Sequence, residues 1–195
     1  MKKKLILVGA PPACGKNYVS KLICEEVEHI TYLDKDDLSE MIRCCFNLCD
    51  EELNMDGDFY IKNLRTTEYN TLFRLAFSAL RFAELVLVNA PFVQEVRDIE
   101  YMRALKERTR EIGTELVLIW VVAPIDVCYE RMKARNSDRD KLKLAEWSKY
   151  VKKIDYSIPT LLEKEGVVDK LIVFDNENDN TVQTSLRKAV KILKE

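Results

Sequence analysis

Two patterns of apolar residues alternate along this chain. Short continuous runs at residues 5–8, 30–33, 84–89, 115–122 and 171–174 have the length of strands, and the longest of them are apolar throughout, as strands buried on both faces are. Between them, apolar positions recur at helical spacing. This predicts helices over 16–27, with Val19, Leu22 and Ile23 on one face, and over 38–48, 59–82, 96–112 and 181–194. A further helix starts at Pro124 and runs through Cys128 and Met132, and another passes through Trp147 and Tyr150. Residues 50–58 are polar and acidic around Gly57 and read as a loop. Strands alternating with helices predict an α/β fold, a parallel sheet with helices on both faces.

At 195 residues the chain is expected to form a single domain spanning 1–195. Its 47% hydrophobic and 33% charged content is that of a soluble globular protein. A net charge of −2 gives no global attraction to nucleic acid or membrane. The basic start runs straight into a short apolar strand, unlike a signal peptide, and no apolar run approaches a membrane span, so a cytoplasmic location is expected. Among the six cysteines there is no metal-type C-x-x-C pair. Cys14 stands apart, because it lies beside a helix start and a lysine, where a thiolate is stabilised and oxidation is favoured.

The first strand breaks at Gly9, and Gly15-Lys16 opens the first helix. Strand, tight loop, Gly-Lys and helix is the layout of a phosphate-binding P-loop. A helix start carries unpaired N–H groups and partial positive charge, glycine allows close approach of phosphate, and a lysine reaches the terminal phosphates. Ala13, Cys14, Gly15, Lys16, Asn17 and Tyr18 are the expected nucleotide-binding positions. Pro11 and Pro12 have no N–H to offer. Relative to G-x-x-x-x-G-K-[ST], Gly9 sits one residue early with Ala10 at the first glycine position, and Asn17 replaces the hydroxyl that ligates magnesium.

In open parallel sheets ligands bind at the carboxyl ends of the strands. That rule gathers the P-loop with residues 34–37, 89–92 and 175–180. Asp36 is the candidate base for an acceptor hydroxyl, with Asp34 and Asp37 as rivals. Together, Asn17 and Asp36 are the expected metal-binding positions. Residues 131–143 carry six basic side chains, among them Arg131, Arg135 and Arg139. Guanidinium groups suit phosphate contacts and transition-state charge, so a short phosphate-closing lid is expected within about 131–153. The alternative is a solvated helix whose arginines pair with Glu130, Asp138 and Asp140.

The order of these features resembles the P-loop kinases of the zeta-toxin and polynucleotide-kinase-like group, which are similar to gluconate and chloramphenicol kinases. The features are the P-loop, Tyr-Leu-Asp34-Lys-Asp36-Asp37, Glu68-Tyr69 on a helix, Asn89-Ala-Pro-Phe92 with Arg97, and the arginine segment with Trp147 and Tyr150. The resemblance covers nearly the whole chain. It implies a three-layer P-loop NTPase fold with a five-stranded parallel sheet, ATP with Mg2+ as donor and a hydroxyl-bearing acceptor. It also implies that Asp36 activates the acceptor, that the lid arginines join Lys16 in catalysis, and that Asn176 lies near the adenine. Asn89 departs from the pattern, since an acid often ends the third strand.

A small-molecule hydroxyl is the leading acceptor, with Arg65, Tyr69 and Phe92 as further pocket candidates beside Asp36. A polynucleotide 5'-hydroxyl is the alternative, against which the acidic balance argues. A non-catalytic ATP-binding regulator is the reading from a different class, supported by Asn17 and Asn89. A nucleoside monophosphate kinase is disfavoured, because its phosphate acceptor has no need of a base such as Asp36.

Overall fold

The structure, a computed structural model, describes residues 2–195, apart from the side chains of Asp138, Arg139 and Leu142. The chain runs β1 (Lys4–Gly9), α1 (Lys16–Glu26), β2 (Ile30–Asp34), α2 (Ser39–Leu48), α3 (Arg65–Ala79), β3 (Leu85–Asn89) and α4 (Ile99–Glu111). It continues through β4 (Glu115–Val122), α5 (Ile125–Arg135), α6 (Asp138–Ala145), α7 (Trp147–Lys153), α8 (Thr160–Lys164), β5 (Lys170–Asp175) and α9 (Asp179–Lys194). The five strands form one parallel sheet in the order β2-β3-β1-β4-β5.

The unbroken apolar runs have the reason expected of them: β1, β3 and β4 are covered on both faces. Leu5, Leu7, Val86, Val88, Leu118 and Trp120 meet α3 and α4 through Leu72, Phe73, Ala76, Met102 and Leu105. On the other face Ile6, Val8, Leu87, Ile119 and Phe174 meet α1 and α9 through Val19, Ile23, Val182, Leu186 and Ala189. Successive strand residues point to opposite faces, so one run feeds two cores.

Three predicted helices open on a turn of a different kind, and the basic segment is interrupted. The helix predicted over 59–82 begins as a π-helical turn, Tyr60–Leu64, before α3. That turn sets Tyr60 inward, where its hydroxyl donates to Glu68 Oε2 at 2.5 Å. A 3-10 turn, Lys35–Leu38, precedes α2, because the Asp34 side chain accepts from the Asp36 N–H. Another, Glu95–Arg97, precedes α4, which Asp98 then caps. The basic segment is broken at Asn136, which ends α5 in the left-handed conformation with φ 45°. The short helix α8 follows Pro159 and had no counterpart in the predicted elements.

Lys35 and Glu68 form a buried ion pair at 3.0 Å beside the carboxyl edge of the sheet. Their side chains are 10% and 0% exposed, so each depends on the other and on Tyr60 for solvation. Removing one partner of a buried pair leaves an uncompensated charge. Glu68→Ala is therefore expected to lower unfolding free energy by about 3–5 kcal/mol in denaturant titration. Glu68→Gln, which keeps one acceptor oxygen and the side-chain volume, is expected to lose less.

Candidate active site

The loop between β1 and α1 is tight and braced. Gly9 pairs with Trp120 across the sheet, and a Cβ there would lie 3.0 Å from the Trp120 ring and 3.2 Å from Phe92 Cβ. The early glycine is thus a packing requirement of the strand end. Ala13 takes φ 64°, a left-handed conformation that disfavours side chains, in a turn where the Cys14 N–H donates to Pro11 O at 3.4 Å. Gly15 has φ 92° and caps α1; a Cβ on it would lie 2.2 Å from Asn176 Nδ2.

The Cys14 carbonyl is the brace. It accepts from Asn176 Nδ2 at 2.7 Å and from Arg131 Nη1 at 3.5 Å. Arg131 Nη2 also donates to Asn176 O at 2.7 Å. The loop, α5 and the segment after β5 are locked together at this point. Beside it is a cleft of about 350 Å3 lined by Gly15, Tyr18, Arg131, Asn178 and Val182.

On the β2–β3 side, the side chain of Asn89 is fully buried and is the centre of a polar network. Its amide nitrogen donates to Asp34 Oδ2 at 2.7 Å, Asn17 Oδ1 at 2.9 Å and the Tyr32 hydroxyl at 3.1 Å. Its carbonyl accepts from the Ser20 hydroxyl at 3.2 Å. Tyr32 in turn donates to Asp34 Oδ2 at 2.6 Å. Lys16 Nζ lies 2.5 Å from Asn17 Oδ1. Burial works to raise the Asp34 pKa, but the hydrogen bonds from Tyr32, the Asp36 N–H and Asn89, with the Lys16 charge, hold it below the ordinary value. Burial, then the Asp34 carboxylate, push the Tyr32 hydroxyl up.

The family model described as an AAA domain matches residues 5–155, which takes in the loop, this network and the arginine segment. The chain belongs to that AAA domain family. No curated protein matches it in sequence. Solved structures with the same fold include a candidate kinase from Chloroflexus aurantiacus, 20% identical with a TM-score of 0.67, covering 100% of this chain and 98% of that one. A chain of the PezAT chromosomal toxin–antitoxin system of Streptococcus pneumoniae is 12% identical with a TM-score of 0.62, covering 100% and 88%. A sugar kinase from Janibacter is 14% identical with a TM-score of 0.58, covering 98% and 95%. At these identities the likeness is one of fold: the α/β fold of P-loop kinases.

Within this AAA domain the predicted residues divide. Residues 13–18, Arg131 and Asn176 come together at the loop, and Asn17 meets Asp34 through Asn89. Asp36 and Asp37 are exposed at the same edge. Arg135 does not reach the loop, because its guanidinium pairs with the buried Asp140 carboxylate at 2.6 and 2.8 Å, the alternative the sequence held open. The Arg139 side chain lies outside the described residues. Asn176 is itself buried and spends its amide on Cys14 O. Tyr69 and Phe92 pack edge to face at 5.9 Å within the core. Arg65 lies over the Tyr69 ring at 4.6 Å and pairs with Glu95 at 2.7 Å. Lys143 of α6 reaches Asp56 at 3.0 Å, bridging the arginine segment to the loop after α2.

Tyr32 and Ser20 were not among the predicted residues. Each had a signal: Tyr32 is two residues before Asp34, hence on the same face of β2, and Ser20 is one helical turn beyond Asn17.

Two outcomes follow for this site. The folded state holds Asp34 below its unfolded pKa, so its stabilisation is present above that value and disappears as pH falls through the folded one. Measured as unfolding free energy against pH, the wild-type advantage over Asp34→Asn is expected at neutral pH and to shrink below pH 3.8. Gly15→Ala is expected to lower the thermal unfolding midpoint, through strain at φ 92° and collision with Asn176.

Proposed function

We propose that this AAA domain is an ATP-dependent kinase that transfers the γ-phosphoryl group of ATP to a hydroxyl of a small molecule. The observation that carries the reading is one chain of contacts at the carboxyl edge of the sheet. In it the Lys16 ammonium touches Asn17, and Asn89 links Asn17 to the Asp34 carboxylate beside exposed Asp36. A phosphate cradle, a cation and a carboxylate are the parts that phosphoryl transfer needs.

The backbone N–H groups at the start of α1 hold the phosphates, and Lys16 leaves Asn17 to neutralise the terminal ones. The cleft lined by Gly15, Tyr18 and Val182 receives the nucleobase. Asp36 accepts the proton of the acceptor hydroxyl, its backbone fixed by the hydrogen bond from its N–H to Asp34 Oδ1. Arg131, and Arg139 from α6, supply positive charge at the phosphates.

The donor set fits Mg2+. Asn17 Oδ1, Asp34 and Asp36 offer only oxygen, the hard ligand this ion takes, and a site with one or two carboxylates is completed by substrate phosphates and water. The ion would neutralise phosphate charge there.

A second reading, an ATP-binding regulator without turnover, is favoured by the amide-to-amide bond between Asn89 and Asn17, which puts a neutral group where a carboxylate would strengthen the metal site.

ADP release from Mg-ATP decides between them. The acceptors to try are nucleosides, sugars, sugar nucleotides, aminoglycoside-type alcohols and 5'-hydroxyl oligonucleotides. Stimulation by a small-molecule alcohol is expected, reduced about 10²–10⁴-fold in Asp36→Asn and lost in Lys16→Ala. Stimulation by oligonucleotides alone would move the acceptor to nucleic acid. Binding of ATP that is indifferent to magnesium and to every acceptor would support the regulator.

A further inference from the structure

Two buried thiols meet behind the phosphate-binding loop. Cys14 lies in the loop and is 1% exposed; Cys128 lies on α5 and is fully buried. Their sulfurs are 3.6 Å apart, although the residues are 114 positions apart in sequence. Among the described residues, no other two cysteine sulfurs meet in this way. A disulfide needs sulfurs about 2.05 Å apart, so each must move by less than about 1 Å.

We propose that Cys14 and Cys128 form a reversible disulfide, a modification site that ties the phosphate-binding loop to α5. The oxidant is hydrogen peroxide. It has a way in, a cavity of about 290 Å3 lined by Cys14, Pro11, Ala123, Ile125 and Tyr156. The Cys14 thiolate attacks one peroxide oxygen, the O–O bond breaks, hydroxide leaves and a sulfenic acid forms. The Cys128 sulfur then displaces the sulfenic hydroxyl. Both sulfurs are oxidised, the peroxide is reduced, and its two oxygens leave as water carrying the two thiol protons. Cys14 is placed to begin, because it lines the cavity and Cys128 does not.

The bond would act on the loop itself. Cys14 O is the shared acceptor of Arg131 and Asn176, and the Cys14 N–H closes the turn onto Pro11. Drawing its Sγ toward α5 displaces amides that hold phosphate. This consequence rests on the nucleotide-binding reading; the bond itself does not.

The test uses the full chain, reduced and then treated with hydrogen peroxide, digested without reductant and mapped by mass spectrometry. A peptide pair joining Cys14 to Cys128 is expected, two hydrogens lighter and split by dithiothreitol. Oxidation of exposed Cys44 and Cys49 with no such pair would overturn the proposal. At least tenfold weaker binding of a fluorescent ATP analogue is expected in the oxidised protein, restored by dithiothreitol and absent in Cys128→Ala. Formation of the bond with unchanged affinity would overturn its effect on the loop. If Cys128→Ala does not fold, the wild-type map and its reversal decide. Failure of the reduced protein to bind the analogue would count against the kinase reading alone, because the map is read without nucleotide.

Discussion

The carboxyl edge of the sheet depends on the side-chain amide of Asn89. It is buried between β1 and β2, so an unsatisfied polar atom there would carry a heavy desolvation penalty. Its partners come from α1 and β2: Asn17 and Ser20 on one side, Tyr32 and Asp34 on the other. An amide is required by these neighbours. A carboxylate at the same place accepts hydrogen bonds only, and would face Asp34 Oδ2 at 2.7 Å with like charge. The two asparagines that depart from the usual pattern are therefore matched to one another: Asn17 offers a carbonyl oxygen to the donor that Asn89 supplies.

This changes how the departures should be weighed. Taken singly, each removes a ligand from the proposed metal site. Taken together, they exchange a carboxylate and a hydroxyl for a neutral pair that leaves Asp34 as a half-buried negative charge beside them. Asp34 is held ionised by donors from three directions, which the run of acids at 34–37 does not reveal by itself.

Much of the fold was legible because period-2 and helical apolar patterns are set by burial, and burial here is simple: a sheet covered on both faces. The strand β4, predicted over 115–122, is observed at those residues. The sequence was least informative where tertiary contacts override local preference. The π-helical turn before α3 exists to bring Tyr60 onto Glu68, a partner eight residues away. Gly9 looked like a misplaced motif glycine until Trp120 and Phe92 showed what lies against it. In the arginine segment, spacing placed Arg131 and Arg135 on one helical face. Only the break at Asn136, which turns α6 back so that buried Asp140 meets Arg135, separates their roles. Residue type alone gives no signal of that break, since asparagine ends helices and also occurs within them.

The bridge from Lys143 to Asp56 has a practical consequence. It joins two segments far apart in sequence, and the Asp56 side chain is 75% exposed. An ion pair of this kind contributes about 0–1 kcal/mol and weakens as mobile ions screen it. The tie between the arginine segment and the loop after α2 accordingly loosens as ionic strength rises, so the two segments are held together more firmly in dilute buffer than in physiological salt.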